Sequence, residues 1–124
     1  MPHHIDVLSV GDIVTDAFIK LKPTEAEIDK DPVDKHPLLC MTYGTKIPFD
    51  EAIVIEAVGN SANAAVSLAR LGLKSSLYSN VGGDDHGRDM LVALKKNHVQ
   101  TQYVRVNKDK HSNYHYVLWY KDDR

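Results

Sequence analysis

Apolar residues along this chain fall into short runs and into one stretch of helical spacing, which together indicate alternating strands and helices. Residues 5–10 are a mostly apolar run that stops at Gly11 and Asp12, as expected for a short central strand of a parallel sheet. Within residues 61–71, small apolar side chains recur at positions i, i+3, i+4 and i+7: Ala62, Ala65, Val66 and Ala69. This spacing predicts a helix, and Gly72 is placed to end it.

The remaining pattern predicts a mixed α/β domain. Strand, helix and strand follow one another from residue 53 to residue 79, and this order implies a right-handed crossover and a parallel sheet. We expect strands at 53–58, 75–79, 102–106 and 113–120, a helix at 87–96, a hairpin formed by 38–43 and 46–49, and a surface loop at 22–37 with a helical turn near 24–28.

The last residues suggest a chain that continues. Residues 113–120 are strongly β-forming, and residues 121–124 resemble the start of a hairpin turn. An unreturned turn would leave a long strand edge unpaired. We therefore expect residues 1–124 to be the N-terminal part of one larger domain.

Composition narrows the class of protein. The 124 residues include 15 Lys and Arg against 17 Asp and Glu, for a net charge of -2, and a single cysteine. The basic residues are too dispersed for a nucleic-acid surface, and no apolar run approaches the roughly 18 residues of a membrane span. We expect a cytoplasmic protein that binds neither nucleic acid nor membrane.

Several familiar motifs fail when their spacing is examined. Residues 82–87 place Asp84 where a dinucleotide fingerprint needs its middle glycine, and 44–46 lack the order of a P-loop. His111 and His115 would be about 13 Å apart along a strand, so they do not predict a metal site. We expect no metal ligands in this chain.

Three polar segments should meet at one edge of the parallel sheet, where open α/β sheets bind their ligands. They are residues 11–16, 59–63 and 82–87. Carboxylates accept hydrogen bonds from hydroxyl groups, and carboxamides both donate and accept them, so the set suits a polyhydroxylated ligand. Asp12 and Asp84 could instead cap turns or helices, and for Asp84 we favour that role. For Asp16 and Asn63 we favour ligand binding, because neither is needed as a cap.

At this point the sequence resembles the N-terminal half of the PfkB, or ribokinase-like, carbohydrate kinases. The resemblance is carried by residues 11–16, by Gly59-x-x-x-Asn63-x-Ala65, by residues 69–72 and by Val81-Gly82-x-Asp84-x-x-Gly87-Arg88. Val58 departs from the family, which usually has a glycine there.

The resemblance implies a mostly parallel sheet flanked by helices, with a small β-lid at about residues 38–57 and 113–120 that can pair two subunits into a homodimer. By position, Asp16 and Asn63 would hold sugar hydroxyls, Gly59 would line the floor of the substrate site, and Asp12 and Asn60 would flank it. ATP and Mg²⁺ would be used, but their main sites and the catalytic base belong to the family's C-terminal half.

We therefore expect an ATP-dependent sugar or nucleoside kinase whose 124-residue segment binds substrate, contains no catalytic residue and is inactive alone. The alternative is a non-catalytic α/β module that binds a polyol or forms dimers. A nucleotide-dependent oxidoreductase is weakened because two candidate dinucleotide fingerprints fail: Gly11 is followed two residues later by Ile13 instead of glycine, and residues 82–87 have Asp84 in the place of the middle glycine.

Overall fold

A computed structural model describes residues 4–121 and shows an α/β fold. Neither helix in these residues is long and apolar enough to cross a membrane. The elements in chain order are β1 (Val7–Val10), β2 (Val14–Leu21), β3 (Ala26–Lys30), β4 (Pro37–Met41), β5 (Phe49–Val58), α1 (Asn60–Arg70), β6 (Ser75–Gly82), α2 (Asp85–Lys96), β7 (Val104–Asn107) and β8 (Tyr114–Trp119).

The chain divides into two compact units, each with its own apolar core. Of the described residues, the first unit contains 4–16 and 54–115, and the second contains 17–53 and 116–121. A three-stranded sheet has the strand order β5-β2-β8.

A parallel sheet forms the centre of the first unit. Its strands are ordered β1-β6-β7, with Val10 opposite Tyr78 and Gly82 opposite Asn107. The predicted strand-helix-strand order is confirmed, but the predicted parallel crossover from residues 53–58 to residues 75–79 is wrong, because β5 belongs to the sheet β5-β2-β8 and the parallel partners of β6 are β1 and β7. The buried core comprises Ile13, Ala57, Ala62, Ala65, Leu77, Val81, Met90, Leu94, Val99 and Val104.

Helix α1 packs through the small side chains that its sequence spacing predicted. Ala62 and Ala65 are fully buried, so the helix can lie close to the sheet. Helix α2 begins two residues earlier than the predicted residue 87, because Asp84 caps it. Its buried face includes Met90 and Leu94.

The predicted hairpin of 38–43 with 46–49 is wrong, and so is the loop predicted over 22–37. Strand β4 pairs antiparallel with β3, from Ala26 opposite Met41 to Lys30 opposite Pro37. The turn between them is held by the Asp31 carboxylate, which accepts the backbone N–H groups of Val33 and Asp34 at 2.8 and 3.2 Å. These hydrogen bonds stabilise the turn at Asp31 and Pro32, and the turn therefore favours pairing of β4 with β3.

Residues 14–21, to which the sequence pattern assigned no element, form β2. The side chains of Val14, Thr15, Ala17 and Leu21 are buried. Buried side chains therefore do not alternate regularly with exposed ones along this strand. The predicted terminal turn extends into residues 122–124, which lie outside the described residues.

Candidate functional site

The loop after β1 and the start of α1 meet at the edge of the parallel sheet. Gly11 donates its backbone N–H to the Tyr78 carbonyl at 3.2 Å, and the Ser61 hydroxyl donates to the Asp12 carbonyl. A Cβ atom on Gly11 would lie 3.1 Å from Ser61, and one on Gly59 would lie 3.2 Å from the Asp12 oxygen. Both glycines also have positive φ angles, 152° and 105°, so this close approach requires glycine at each position.

Beside this approach lies an open cavity of about 450 Å³ in the first unit. Four of the five predicted site residues line it: Asp12, Asp16, Gly59 and Asn60. The structure therefore brings together the predicted segments at 11–16 and 59–60. The other lining residues are Val10, Gly11, Val14, Ser61 and His115.

The carboxylate of Asp16 is the distinctive group of this cavity. Its side chain is 23% exposed, and its Oδ1 atom is shielded from solvent yet accepts no hydrogen bond from the residues described. The His115 ring lies near it, with Nδ1 3.4 Å from Oδ1. A shielded carboxylate oxygen without a donor is unfavourable, so it is a place where a ligand hydroxyl would gain a strong hydrogen bond.

Asp12 and the N-terminal end of α1 also contribute charge to the site. The Asp12 carboxylate accepts a 2.8 Å hydrogen bond from the Asn113 side-chain amide. Helix α1 has Gly59 as its N-cap, with no side-chain capping bond and no acidic residue in its first turn. The positive end of the helix dipole therefore lies beside two carboxylates, which is a favourable arrangement.

Asn63 is the predicted site residue that does not join this cavity. It is exposed one turn further along α1, and its backbone N–H donates to the Gly59 carbonyl at 2.8 Å. Its side chain lines a separate cavity of about 300 Å³, together with Glu56, Arg70, Asn97 and others.

A second cavity at the same sheet edge contains polar residues that sequence reasoning missed. It measures about 450 Å³, and it shares Asp12 with the first cavity. At its base, the Asn107 amide donates to Asn80 Oδ1 at 3.2 Å. Asn107 is the last residue of β7, and Asn80 lies two residues before the end of β6. Lys110 and Asn113 also line this cavity.

The turn between β6 and α2, the third predicted polar segment, is closed by its own hydrogen bonds. The Asp84 carboxylate accepts the Ser112 hydroxyl at 2.7 Å, the Ser112 backbone N–H at 2.8 Å and the Gly87 N–H at 2.9 Å. These donors hold the pKa of Asp84 well below its ordinary value, and the hydrogen bonds from Ser112 have the largest effect on it. The predicted capping role of Asp84 is confirmed.

The residues of this edge do not fit the triphosphate of ATP. Asp84 already occupies the N-terminus of α2, and Asp12 and Asp16 would repel a phosphate in the first cavity. The donor and acceptor set of that cavity suits neutral hydroxyl groups instead.

A trio of potential metal ligands occurs in the second unit, at the turn between β3 and β4. One ligand atom each from Asp31, Asp34 and His36 lie within 4.8 Å of one another. The backbone N–H groups of Val33 and Asp34 lower the pKa of Asp31, so its charge is already engaged in forming the turn.

Comparison with known proteins identifies the class. The model of the pfkB family carbohydrate kinases matches residues 32–124, which is well over half of the chain. The chain therefore belongs to the pfkB family of carbohydrate kinases, and its fold is ribokinase-like.

Individual relatives agree with this assignment. Mouse ribokinase is 39% identical over 51 residues, which are 41% of this chain and 16% of that protein. The structure of fructokinase from Halothermothrix orenii is 26% identical, with a TM-score of 0.64, and the match covers 92% of this chain and 34% of the fructokinase. Arabidopsis thaliana ribokinase, solved with ribose and ATP, has the same fold at 20% identity and a TM-score of 0.74, with 97% of this chain and 34% of that one covered. The chain thus spans about a third of the length of these two structures.

Proposed function

We propose that this chain provides the substrate-binding part of an ATP-dependent kinase that transfers the γ-phosphate to an alcohol of a sugar or nucleoside. The Oδ1 atom of Asp16, which is shielded from solvent and accepts no hydrogen bond from the described residues, carries the proposal. Three further residues line the same cavity. The Asp12 carboxylate can accept a hydrogen bond, Asn60 offers a side-chain amide, and Gly59 has no side chain that would keep a ligand away from the backbone. Membership of the pfkB family supports the reaction class.

The proposed chemistry of this part is positioning. Asp16 accepts a hydrogen bond from one substrate hydroxyl, and Asp12 and Asn60 hold its neighbours, so the substrate alcohol is presented in a fixed orientation. Phosphoryl transfer depends largely on such positioning and on charge stabilisation. Asn63 is proposed as a further substrate contact by its family position, although here it lines a different cavity. ATP and Mg²⁺ supply and activate the transferred phosphoryl group, at sites proposed to lie outside this chain.

The substrate role of Asp16 is tested by measuring sugar binding with two matched variants. We expect Asp16→Asn to weaken binding by about 30- to 1000-fold, because a charged acceptor in a desolvated site contributes about 2 to 4 kcal/mol. Asp109→Asn, which removes an exposed carboxylate from the turn after β7, should bind like the unaltered chain. Titration of ribose, fructose and adenosine, followed by NMR chemical shifts, provides the measurement. Equal affinities for both variants would refute the proposed site.

The 124-residue chain itself is proposed to be inactive, because the parts that hold ATP and deprotonate the acceptor are proposed to lie elsewhere. An assay of ADP release over a panel of sugars and nucleosides should therefore show no turnover. Turnover that disappears in Asp16→Ala would contradict this assignment of roles.

A second candidate function, a non-catalytic polyol-binding or dimerisation module, is favoured by the surface of β5. Phe49 and Val54 are each 51% exposed, and Ile53 and Ile55 are 43% and 44% exposed. Contiguous exposed apolar side chains on a strand favour pairing with another chain. The proposed lid segments, 38–57 and 113–120, would then form a homodimer. Sedimentation that shows only a monomer at high concentration would count against this proposal.

A further inference from the structure

The floor of the second cavity is one face of the parallel sheet, close to the carboxyl ends of its strands. Val10 lies opposite Tyr78 in the register of β1 and β6, and both line the cavity. Their side chains are 66% and 46% exposed, whereas Leu77, the residue before Tyr78, is buried in the core on the other face. Asn80 follows Tyr78 by two residues, so it lies on the same face of β6 as the tyrosine. The cavity therefore combines an exposed aromatic ring, an apolar neighbour and a carboxamide.

The carboxamides of Asn80 and Asn107 are oriented by their own hydrogen bonds. The Asn107 amide nitrogen donates to Asn80 Oδ1 at 3.2 Å and to the Val81 carbonyl at 3.5 Å. No hydrogen bond within the described residues uses the other two polar atoms, Asn107 Oδ1 and Asn80 Nδ2. The pair therefore offers a ligand one acceptor and one donor on neighbouring side chains.

The wall of the cavity that carries Asn107 is held in place before any ligand binds. The Gly83 backbone N–H donates to the carbonyls of Asn107 and Lys110, at 3.0 and 3.2 Å. The Gly82 N–H donates to the Ser112 hydroxyl at 2.9 Å, which fixes the far end of the same segment. A preorganised wall lowers the conformational entropy that binding would cost.

An exposed aromatic ring beside a donor and an acceptor matches the chemistry of a nucleobase. Bases stack on aromatic side chains, and carboxamides bind the adjacent donor and acceptor groups of base edges. The cavity volume of about 450 Å³ is within the usual range of small-molecule sites. A phosphate group is a poorer match, because the Asp12 carboxylate lines the cavity together with Lys110 and opposes its charge.

The two cavities lie next to each other, since residues 10–12 line both of them. We propose that the second cavity binds the heterocyclic base of a nucleoside, with the ring stacked on Tyr78 and its edge hydrogen-bonded to Asn80 and Asn107. The sugar of the same nucleoside then lies in the first cavity. This inference rests on the proposed function and deepens it, because it selects nucleosides from the two proposed classes of substrate.

The test titrates the 124-residue chain with ribose, adenosine and free adenine and follows binding by NMR chemical shifts. We expect adenosine to bind at least about 5-fold more tightly than ribose, which is the lower end of the contribution of base stacking on an aromatic side chain. Adenosine and adenine should both shift the backbone amide signals of residues 78–80 and 107, whereas ribose should leave these signals unchanged.

Two variants, each with a matched control, locate the base. Tyr78→Ala should weaken adenosine binding at least about 5-fold and leave ribose affinity unchanged, because ribose has no ring to stack. Tyr103→Ala is its control, since Tyr103 is 44% exposed and does not line the cavity. Asn80→Asp keeps the oxygen that accepts the Asn107 amide but replaces the donor by an acceptor, so adenosine should bind about 3- to 10-fold more weakly. Gln102→Glu makes the same chemical change at an exposed position outside the cavity, and both controls should bind like the unaltered chain.

The outcomes separate this inference from the proposed function. If adenosine binds no more tightly than ribose, or if Tyr78→Ala and Asn80→Asp leave its affinity unchanged, the inference is overturned. An equal loss of ribose and adenosine affinity in both variants would also overturn it, because the effect would not depend on the base. In each of these cases the proposed function stands if Asp16→Asn weakens ribose binding. If neither ribose, fructose nor adenosine binds the unaltered chain, both are overturned.

Discussion

Two segments rich in glycine and aspartate, residues 11–16 and 82–87, follow neighbouring parallel strands of the first unit and have opposite hydrogen-bonding states. The Asp84 carboxylate accepts three hydrogen bonds from Gly87 and Ser112. In contrast, Asp16 Oδ1 accepts none from the residues described, although it is shielded from solvent. Two aspartates at the same edge of the sheet therefore differ in role. Asp84 stabilises the local fold, whereas Asp16 keeps an oxygen that can accept a hydrogen bond from a ligand.

The glycines of the two segments differ in the same way. Gly11 and Gly59 allow a helix end to approach a loop beside a cavity. At Gly82 and Gly87, an added Cβ atom would overlap backbone atoms, the Lys110 carbonyl in one case and the Gly82 carbonyl in the other. At these two glycines the second segment is therefore packed closely against its own chain.

The largest expected effect on stability comes from adding a methyl group at Gly87, within residues 82–87. Gly87→Ala places a methyl group against the Gly82 carbonyl and 2.8 Å from the Ser112 hydroxyl, so the turn must shift. We expect the free energy of unfolding to fall by about 3 kcal/mol, at the upper end for overpacking. Gly44→Ala is the control: no described atom lies within 4 Å of its Cβ, and its φ of 74° predicts a loss of about 1 kcal/mol. Urea denaturation measures both, and equal losses would contradict the close packing at Gly87.

The two aspartates provide the direct comparison. Asp84→Ala removes a helix cap and an acceptor of charge-assisted hydrogen bonds, so we expect a loss of about 2 kcal/mol in unfolding free energy. Asp16→Ala removes an oxygen without a hydrogen-bond partner, so we expect stability within about 0.5 kcal/mol of the unaltered chain, or higher. If Asp16→Ala destabilises the chain as much as Asp84→Ala, Asp16 has a structural role and the contrast between the segments fails.

Acid should weaken the hydrogen bonds that the Asp84 carboxylate accepts. The pKa of Asp84 is lowered in the folded chain from its ordinary value of 3.8, chiefly by the Ser112 hydrogen bonds. A depressed folded pKa stabilises the fold at pH values above 3.8, and this stability is lost as the pH falls below that value, because the unfolded chain then binds the proton more readily. We expect Asp84→Asn to show a smaller decrease in stability than the unaltered chain between pH 5 and pH 3 in urea denaturation. Parallel curves would contradict the assigned hydrogen bonds.

The sequence predicted the parts of this unit that depend on local spacing. Helix α1 and strand β6 follow from the alanine period and the glycine stop, and the place of residues 11–16 beside the first cavity follows from the rule that ligands bind at the carboxyl ends of parallel strands. The capping role of Asp84 also follows from local sequence, since Asp at that position is typical of a helix start.

What the sequence did not predict depends on pairing between distant residues. Strand β4 pairs with β3 rather than with residues 46–49, and only the hydrogen bonds of Asp31 indicate that choice. His115 was considered only as a partner of His111, because nothing near it in sequence suggests Asp16 as a neighbour.

The smallest expected effect concerns His111, and it tests which neighbour controls the Asp84 carboxylate. His111 Nδ1 lies 3.6 Å from Asp84 Oδ2, but the His111 side chain is 98% exposed. An exposed imidazole at that distance is screened, and the carboxylate is already satisfied by Ser112 and Gly87. We therefore expect His111→Gln to change the unfolding free energy by less than about 0.5 kcal/mol, with the same acid dependence as the unaltered chain. A flattened acid dependence in this variant, measured by urea denaturation at the same pH values, would show that the imidazole and not Ser112 governs the Asp84 carboxylate.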